Sequence, residues 1–556
     1  MDMTIIKAIR KYINYKLFRL AWYFLCGLRW IVERHIKDEP SNLPPISDRI
    51  LLMTAVELAD SVRNGQISCA QVAAIYLKRV RDVNPIVNAI CDMNEVGIKR
   101  TATELDQRLA DERAGLVERD YLDRPLVGVP VTIKNSIAVK DLTQDGGIPN
   151  NAGHCATRDS QAVRRLRNAG CMILGITNVP EALNWYETKN HVHGITKNPY
   201  ILTRMAAGSS GGEGAALGSA CSLVGVGSDM LGSCRMPAHC CGVFGHKPTN
   251  GVIVSLDGLV PPYGENLWPI LTLGPMTRYA SDLRPMLAAL CEPEGAAQMR
   301  LNDPVDFRKL KFYYCDDSSI HPTISPVSDE VRATMRKAIN YFENKYEVTF
   351  KRITLSKLKM VDTLWLAGIK ELDQTRQKTH LFGPDSSKHP NIIFEIIKSF
   401  FNLSPNYTYS LFVAALEDVS AKEHIQAKLK GIREDFKAEV RKAIGKHGVL
   451  FHVTMPEVAY KTHTTLFRPA DVGYSGVMNV LELPATHATM GLDAKSGLPI
   501  GFGIAAAPYN DRFTLAVAEE LEREFGGWVS PGGVQLTDNA TVNSQLDHNL
   551  NKTKKS

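Results

Sequence analysis

The chain has 556 residues, of which 44% are hydrophobic and 22% charged, a composition typical of a large globular protein. The formal net charge of +6 is small for this length and argues against nucleic acid as a partner. Eleven cysteines, an odd number, lie between Cys26 and Cys315. This distribution does not fit a disulfide framework and indicates reduced thiols in a cytosol-like environment.

The first forty residues differ from the rest of the chain. The apolar run from Leu17 to Val32 follows a basic stretch and is interrupted by Arg19 and Arg29. A spanning helix needs about 20 apolar residues with few charges, so the run predicts either a short span or a basic amphipathic helix in the membrane interface. A helix packed on the protein's own surface is the alternative. We predict a membrane anchor in residues 1–40, on an intracellular membrane.

After a proline-rich linker, capping boxes predict the first two helices. The box Thr54–Glu57 predicts a helix that ends near Gly65. The box Ser68–Gln71 predicts a second helix that ends before Pro85, because proline disrupts helix interiors.

Helices and strands alternate further along the chain. Residues 159–178 predict a helix, a glycine stop and a buried strand, and residues 497–525 predict a strand, a loop and a helix. This order is typical of an α/β sheet covered by helices on both faces. We predict that residues 300–450 form a region that is more variable and more helical than the rest of the domain. The polar residues 531–556 predict a disordered tail.

One helical part stands out by its apolar character. Residues 392–416 are almost continuously apolar and aromatic around Pro405. Two helices that face the core explain this pattern at least as well as an apolar cap beside a lipid-facing entrance.

Three short stretches carry candidate chemistry. In GVPVTIKN, Lys134 follows apolar residues and is predicted at the end of a buried strand. In AGSSGGEGA, the adjacent Ser209 and Ser210 lie among four glycines, and in MLGSCRM, Ser233 follows a glycine. A lone lysine of this kind is most often a salt-bridge partner or a surface residue, so the three stretches have to be weighed together.

Several familiar sites are excluded. A phosphate-binding P-loop needs a lysine where Glu213 follows the glycine pair, and a carboxylate there repels phosphate. Ser233 is not in a Gly-x-Ser-x-Gly nucleophile elbow, and no His-Glu-x-x-His zinc motif occurs. The remaining metal candidate is a cluster that lacks a second half and predicts buried thiols instead: Cys234, His239, Cys240 and Cys241. We therefore predict no metal and no cofactor.

Taken together, Lys134, Ser209 and Ser233 resemble the catalytic signature of the amidase signature hydrolases. The spacing is 75 residues from Lys134 to Ser209 and 24 residues from Ser209 to Ser233. Matching motifs extend over residues 50–530: ITNVPE, GITKNPY, FGHKPT, GPMTR and GLPIGF. GEG after the serines, WYE at Trp185–Glu187 and the apolar N-terminus make the chain similar to the membrane-associated fatty-acid amide hydrolase branch.

The resemblance implies a fold and an activity. The fold is a single α/β domain over residues 50–530, with a mixed, mostly parallel twisted sheet covered by helices on both faces. The activity is serine hydrolysis of a lipophilic amide, or ester, with membrane lipid as a further partner. Two alternatives stay open: an amidase of small amides, and a catalytically weak lipid-amide binder. The oligomeric state, a homodimer included, also stays open.

The resemblance further assigns roles at the site. Ser209 follows a cis peptide bond and relays a proton from the nucleophile, Ser233, to the base, Lys134. A lysine acts as a base at neutral pH only if burial lowers its pKa from about 10.4, and a shift of about three units is feasible. The expected oxyanion donors are four backbone N–H groups: Met230, Leu231, Gly232 and Ser233.

Three further residues are expected to support the site. Ser210 is expected to support the glycine-rich loop that contains Ser209. Asp229 and Arg235 flank Ser233 and are expected to hold its loop in place. The alternative is that they form an ordinary surface ion pair.

Four positions depart from the family pattern. Leu231 replaces a usual glycine, so a positive φ there costs about 1–2 kcal/mol, and its side chain can narrow the oxyanion pocket. Ala207 also replaces a glycine, a milder change, while Cys234 replaces a β-branched residue and Gly503 a glutamine. Because the three catalytic positions are intact, we expect an active but altered hydrolase.

Overall fold

A computed structural model describes residues 24–253, 257–261, 267, 269–317, 324–372, 377–416 and 423–536. Within these ranges, eleven strands form one sheet, and two short strands form a separate pair. The strands are β1 (Ile90–Asp92), β2 (Pro130–Lys134), β3 (Met172–Thr177), β4 (Lys189–Asn190), β5 (Gly194–Ile195), β6 (Val224–Asp229), β7 (Phe244–Lys247), β8 (Thr272–Thr277), β9 (Lys311–Cys315), β10 (Phe350–Arg352), β11 (Gly448–His452), β12 (Ala485–Leu492) and β13 (Pro499–Ala506).

The main sheet has the order β1-β3-β2-β6-β8-β7-β12-β13-β11-β9-β10. Parallel pairs form two blocks, β3-β2-β6 and β11-β9-β10. Antiparallel pairs join the two blocks and add β1 at one edge. The predicted mixed sheet of an α/β protein is confirmed.

Helices surround the sheet and also form a separate group before β11. The helices are α1 (24–35), α2 (Ala55–Arg63), α3 (Cys69–Val87), α4 (Glu95–Arg113), α5 (Gln161–Asn168), α6 (Gly211–Gly218), α7 (Arg235–Cys241), α8 (Leu283–Leu290), α9 (Pro293–Met299), α10 (Asp329–Tyr346), α11 (Val361–Leu372), α12 (Gln377–Phe382), α13 (Ile392–Phe400), α14 (Thr408–Leu416), α15 (Glu423–Ile444), α16 (Gly473–Val480) and α17 (Asp511–Phe525). Among them, α17 packs on β12, α10 on β13 and α4 on β3.

Most local predictions are confirmed. Thr54 caps α2 with both hydrogen bonds of the predicted capping box. Ser160 caps α5, the buried β3 follows Gly170, and β2 ends at Lys134. The predicted strand, loop and helix near the C-terminus are β13 and α17.

The predicted end of the second helix is wrong. α3 continues through Pro85 to Val87 and ends where Asn88 adopts a left-handed conformation. The side-chain amide of Asn88 donates a hydrogen bond to the carbonyl of His193 at 2.7 Å. This long-range contact fixes the helix end, so the proline in the last turn does not determine it.

The predicted anchor is described only in part. Residues 1–23 lie outside the described residues, and α1 occupies the second half of the apolar run. In the described part of the chain, no helix combines the length and the apolar character needed to cross a bilayer.

The predicted tail also falls mainly outside the description, because residues 537–556 are not described. Residues 531–536 lie against the segment around Ile46, which follows the prolines Pro40, Pro44 and Pro45. There, Ile46 donates to the carbonyl of Gly533 at 3.0 Å and accepts from the N–H of Gln535 at 2.8 Å.

Gly503 of β13, where the family has glutamine, leaves room for a buried histidine. Gly503 pairs with His452 of β11, and a Cβ added at Gly503 would lie 2.3 Å from His452 Nε2. His452 is 2% exposed, burial lowers its pKa to about 3, and its Nδ1 lies 3.0 Å from the carbonyl of Val453. The neutral ring therefore occupies the space that a side chain at position 503 would need.

We expect Gly503→Ala to lower the free energy of unfolding by about 1–3 kcal/mol, because neither the strand nor the buried ring can move freely. The matched control is Gly431→Ala in α15, where no atom lies within 4 Å of the added Cβ. That control should keep or raise the stability by up to about 1 kcal/mol, since alanine favours helix. Denaturant unfolding measures both, and equal stability of the two variants would contradict the packing argument.

Candidate active site

Lys134, at the end of β2, has its amine buried among oxygen atoms. Its Nζ donates to Ser209 Oγ at 2.8 Å, to Ser228 Oγ at 2.9 Å and, more weakly, to the carbonyl of Ser228 at 3.4 Å. Among the described residues, no carboxylate lies within ion-pair distance of this amine. Burial lowers the pKa of Lys134 to about 8. The alternative of a surface or salt-bridge lysine is therefore wrong.

Thr188 holds the loop that contains Ser209 and Ser210, called the serine loop below, through two hydrogen bonds to Ala207. Ser209 follows a cis peptide bond, as the resemblance implies. The carbonyl of Ala207 accepts hydrogen bonds from Thr188 Oγ1 at 2.8 Å and from the N–H of Thr188 at 3.2 Å. Ala207 has φ of 58°, a left-handed conformation in which a Cβ is unfavourable. The replacement of glycine by Ala207 is therefore the strained departure, and the expectation that it is the milder one is wrong.

Leu231 is not strained; it lies in the loop Met230–Cys234, which carries the candidate nucleophile Ser233 and is called the nucleophile loop below. It is absent from the residues with positive φ, and the neighbouring Gly232 adopts a φ of 102° instead. Its side chain packs on α16, where a Cβ added at Gly476 would lie 2.3 Å from Leu231 Cδ1. The glycine at position 476 thus makes room for the leucine that replaces the usual glycine.

Ser233 lies beside the lysine–serine pair, and its side chain is half-buried. Its carbonyl accepts a hydrogen bond from the N–H of Ser210 at 3.2 Å. The described contacts include no hydrogen bond between Ser209 Oγ and Ser233 Oγ. The structure therefore brings Lys134 and Ser209 together and places Ser233 next to them without closing the predicted relay.

The nucleophile loop offers backbone donors, but one of the four expected ones is occupied. The N–H of Gly232 donates to Asp229 Oδ1 at 2.8 Å. Among the described contacts, the N–H groups of Met230, Leu231 and Ser233 have no acceptor. These three groups are available to an oxyanion, whereas the N–H of Gly232 holds the loop.

Asp229 and Arg235 form a fully buried ion pair. Arg235 donates to the two carboxylate oxygens at 2.9 and 3.1 Å, and Asn479 Nδ2 donates to Asp229 Oδ1 at 2.9 Å. Burial alone would raise the pKa of Asp229, but the guanidinium charge and these hydrogen bonds hold it below its usual range. Arg235 also donates to the carbonyl of Ser475 at 2.8 Å, which ties the loop to α16. The surface alternative for this pair is wrong.

Sequence reasoning missed two polar residues behind the lysine, Ser228 and Glu213. Glu213 is buried and accepts hydrogen bonds from Thr132 Oγ1 at 2.6 Å and Thr177 Oγ1 at 2.8 Å. Burial raises its pKa to about 7. The alternation of Thr132 and Lys134 on one face of β2 was a signal for Glu213. Ser228 gave no signal, because its contact crosses to another strand.

The cysteines near the site are structural thiols. All eleven cysteines of the chain are free. No group of three or more potential ligands in the described residues is arranged to hold a metal ion. The members of the cluster considered as a metal site are all buried: Cys234, His239, Cys240 and Cys241.

Comparison with known proteins decides the family. Residues 71–515 match the sequence profile of the Amidase family. The chain belongs to the amidase signature family. Fatty-acid amide hydrolase 2 of Homo sapiens is 36% identical over 495 residues, which cover 88% of this chain and 92% of that protein. Fatty-acid amide hydrolase 2-B of Danio rerio is 34% identical over 498 residues, covering 89% and 94% respectively.

The structural comparison agrees with this assignment. A solved structure of fatty acid amide hydrolase superposes with a TM-score of 0.69 at 20% identity and covers 86% of each chain. The resemblance to fatty-acid amide hydrolase 2 that the sequence motifs indicate is confirmed, and the chain is an amidase-type hydrolase.

We expect Gly476→Ala to displace Leu231 and with it the nucleophile loop, because the added Cβ and Leu231 Cδ1 cannot occupy the same space. A displacement of about 1 Å is enough to slow the reaction of Ser233 with a fluorophosphonate about a hundredfold. The double variant Leu231→Ala with Gly476→Ala should recover most of the labelling rate. A double variant as slow as Gly476→Ala alone would show that the two side chains do not interact.

Proposed function

We propose that this protein is a membrane-associated serine hydrolase that cleaves lipophilic amides to a fatty acid and an amine. One observation carries the chemical part: the buried amine of Lys134 lies 2.8 Å from Ser209 Oγ and has no carboxylate partner in the described part of the chain. With a pKa of about 8, about a tenth of this amine is neutral at pH 7. It can therefore accept a proton under physiological conditions.

The first proposed step forms a tetrahedral intermediate, and the acyl-enzyme follows when the amine leaves. Lys134 accepts the hydroxyl proton of Ser209, and Ser209 Oγ accepts the hydroxyl proton of Ser233. The electron pair freed on Ser233 Oγ forms a bond to the amide carbon, and the carbonyl oxygen becomes an oxyanion. The contact between the two serines forms when substrate is bound, since catalytic hydrogen bonds often tighten only in that complex.

The loop stabilises the charge that develops on the oxyanion. Each donor among the N–H groups of Met230, Leu231 and Ser233 contributes about 3 kcal/mol when it is aimed at that oxygen. The buried pair of Asp229 and Arg235 keeps these donors in place.

The second step expels the amine. The carbon–nitrogen bond breaks, and the proton held by Lys134 returns through Ser209 to the leaving nitrogen, because an amine leaves poorly without it. Water then attacks the acyl-enzyme and gives its proton to the same relay. The bond to Ser233 Oγ breaks, the relay returns the proton to this oxygen, and the fatty acid and the free enzyme are released.

An apolar surface formed by α13, α14 and the turn between them supports the proposal of a lipophilic substrate. Phe394 is 61% exposed and Phe401 71% exposed. The other exposed apolar side chains of this hairpin are Ile393, Ile397, Phe400, Leu403, Phe412 and Leu416. Such a patch on a monomeric protein indicates an interaction site. Of the two interpretations of residues 392–416, the exposure favours the apolar cap over core-facing helices.

The hairpin is fastened to the segment that covers the serine loop. Both carboxylate oxygens of Glu181 accept hydrogen bonds at 2.7 Å, from Asn406 Nδ2 and from the N–H of Tyr407. The rings of Trp185 and Tyr409 stack with centroids 4.9 Å apart. The apolar surface therefore lies directly on elements that hold the catalytic loop.

α1 adds a second apolar surface on the same part of the body. Phe24, Trp30 and Ile31 of this helix are exposed. The helix is held by Glu33, which forms an ion pair with Arg468 at 2.8 Å. The carbonyl of Arg468 in turn accepts a hydrogen bond from Tyr186. This arrangement supports membrane contact through α1 and the hairpin together.

We expect a fluorophosphonate to add one covalent adduct to the parent protein and none to Ser233→Ala, as measured by intact mass. Ser222→Ala is the matched control, because Ser222 is a buried serine that donates to the carbonyl of Val224 away from the relay. It should label like the parent. Absence of an adduct, together with reversible thermal stabilisation by a long-chain amide, would favour the lipid-amide binder.

We expect replacement of Ile393, Phe394, Phe400 and Phe401 by serine to lower binding to phosphatidylcholine–phosphatidylserine vesicles at least about tenfold, since apolar burial supplies the binding free energy. The control replaces Val96 and Leu116, which are 78% and 73% exposed elsewhere on the surface, and should bind like the parent. Unchanged binding of the hairpin variant, with turnover of small polar amides, would favour the amidase of small amides.

A further inference from the structure

Ser228 presents two oxygen atoms to the amine of Lys134. Its hydroxyl lies 2.9 Å from Nζ and its carbonyl 3.4 Å, while Ser209 Oγ lies 2.8 Å away. An ammonium group has three N–H bonds, and these are the only hydrogen-bond acceptors of Nζ among the described contacts. The charged lysine is therefore fully hydrogen-bonded by Ser209 and Ser228 alone.

The neutral amine has two N–H bonds and one lone pair, so one of the three directions must change. The carbonyl of Ser228 has no proton to give and accepts an N–H in either state. The lone pair therefore faces one of the two hydroxyls. Reaction requires it to face Ser209, because only Ser209 lies next to the nucleophile.

Ser228 is fixed by the main sheet. It belongs to β6, where it pairs with Leu273 of β8, and it is buried. Its carbonyl also accepts a hydrogen bond from Ser210 Oγ at 3.4 Å. A residue fixed by a central strand is a suitable acceptor for the N–H bonds, whereas Ser209 lies in the loop before α6.

We propose that Ser228 is a positioning residue for amide hydrolysis: its hydroxyl and carbonyl oxygens accept the two N–H bonds of neutral Lys134, so that the lone pair points at Ser209. This inference rests on the proposed role of Lys134 as the base. It assigns no contact between Ser228 and substrate. The hydroxyl of Ser228 acts only through the orientation of the amine.

Other charged and titratable groups surround the amine without a hydrogen bond to it. Glu213 approaches from α6, Asp229 from the end of β6, and Cys234 from the residue before α7. Asp229 is paired with Arg235, and the carboxyl of Glu213 is hydrogen-bonded by two threonines. Removal of the Ser228 hydroxyl changes none of these groups, so their influence on Lys134 is common to the parent and the variants.

The test measures the rate of fluorophosphonate labelling between pH 5.5 and 10 for the parent, Ser228→Ala and Ser228→Thr. The parent rate should rise about tenfold per pH unit and level off near pH 8, as the amine becomes neutral. Ser228→Ala removes a hydrogen bond that favours the charged amine, so the midpoint should move about one unit to lower pH. The rate at the plateau should fall at least about tenfold, because the lone pair is no longer aimed. Ser228→Thr keeps the hydroxyl and should restore both values.

Other outcomes identify which argument fails. A plateau that is unchanged or higher in Ser228→Ala would overturn the positioning role, and would instead mean that the Ser228 hydroxyl competes for the lone pair. A lower plateau that Ser228→Thr does not restore would also overturn it, because the effect would then be one of packing. Labelling of Lys134→Ala at the parent's rate would overturn the proposed mechanism itself and the inference with it. Ser222→Ala should leave the whole profile unchanged.

Discussion

The site depends on the buried amine of Lys134, which has no ion-pair partner among the described residues. A lysine in water is protonated almost completely at pH 7, and a carboxylate partner would keep it so. Lys134 is surrounded by hydroxyl and carbonyl oxygens, which stabilise the ammonium far less than an ion pair would. The ends of β2 and β6 and the loop before α6 bring these oxygens together, so the fold supplies the amine of lowered pKa that the proposed base requires.

The ion pair of Asp229 and Arg235 contrasts with Lys134, because both of its buried charges are neutralised. Asp229 and Arg235 are fully paired, and Asn479 and two backbone N–H groups complete the carboxylate's hydrogen bonds. A buried pair of this kind adds little net stability but costs about 3–5 kcal/mol when one partner is removed. Its place between the nucleophile loop and α16 makes it a rigid support. Lys134 thus has no ion-pair partner among the described residues, which keeps its pKa low. Asp229 and Arg235 are paired, which keeps the loop in place.

Much of this arrangement follows from short stretches of sequence, and the rest depends on contacts between distant segments. The strand that ends at Lys134 and the helix stop before Gly170 are local patterns, and the structure confirms both. The structure also brings Lys134 and Ser209 together, as the resemblance implies, but it does not close the relay to Ser233. The sequence could not show that Gly476 accommodates Leu231 or that Gly503 accommodates His452, because each pair comes from segments that are distant in the chain and meet only in the folded protein. Ser228 was missed for the same reason. The exposure of the apolar hairpin also depends on tertiary packing, since core-facing and solvent-facing apolar helices have similar sequences.

The docking of α1 bears on how the protein can be produced in the laboratory. The guanidinium of Arg468 is 5% exposed and has two counter-charges, Glu33 and Glu457, each at 2.8 Å. Lys461 also donates to the carbonyls of Glu33 and Ile36. A recombinant version without α1 would therefore leave the buried Arg468 with only one of its two ion-pair partners, Glu457. A version that keeps α1 would retain both ion pairs of Arg468, so this helix belongs with the folded body of the protein.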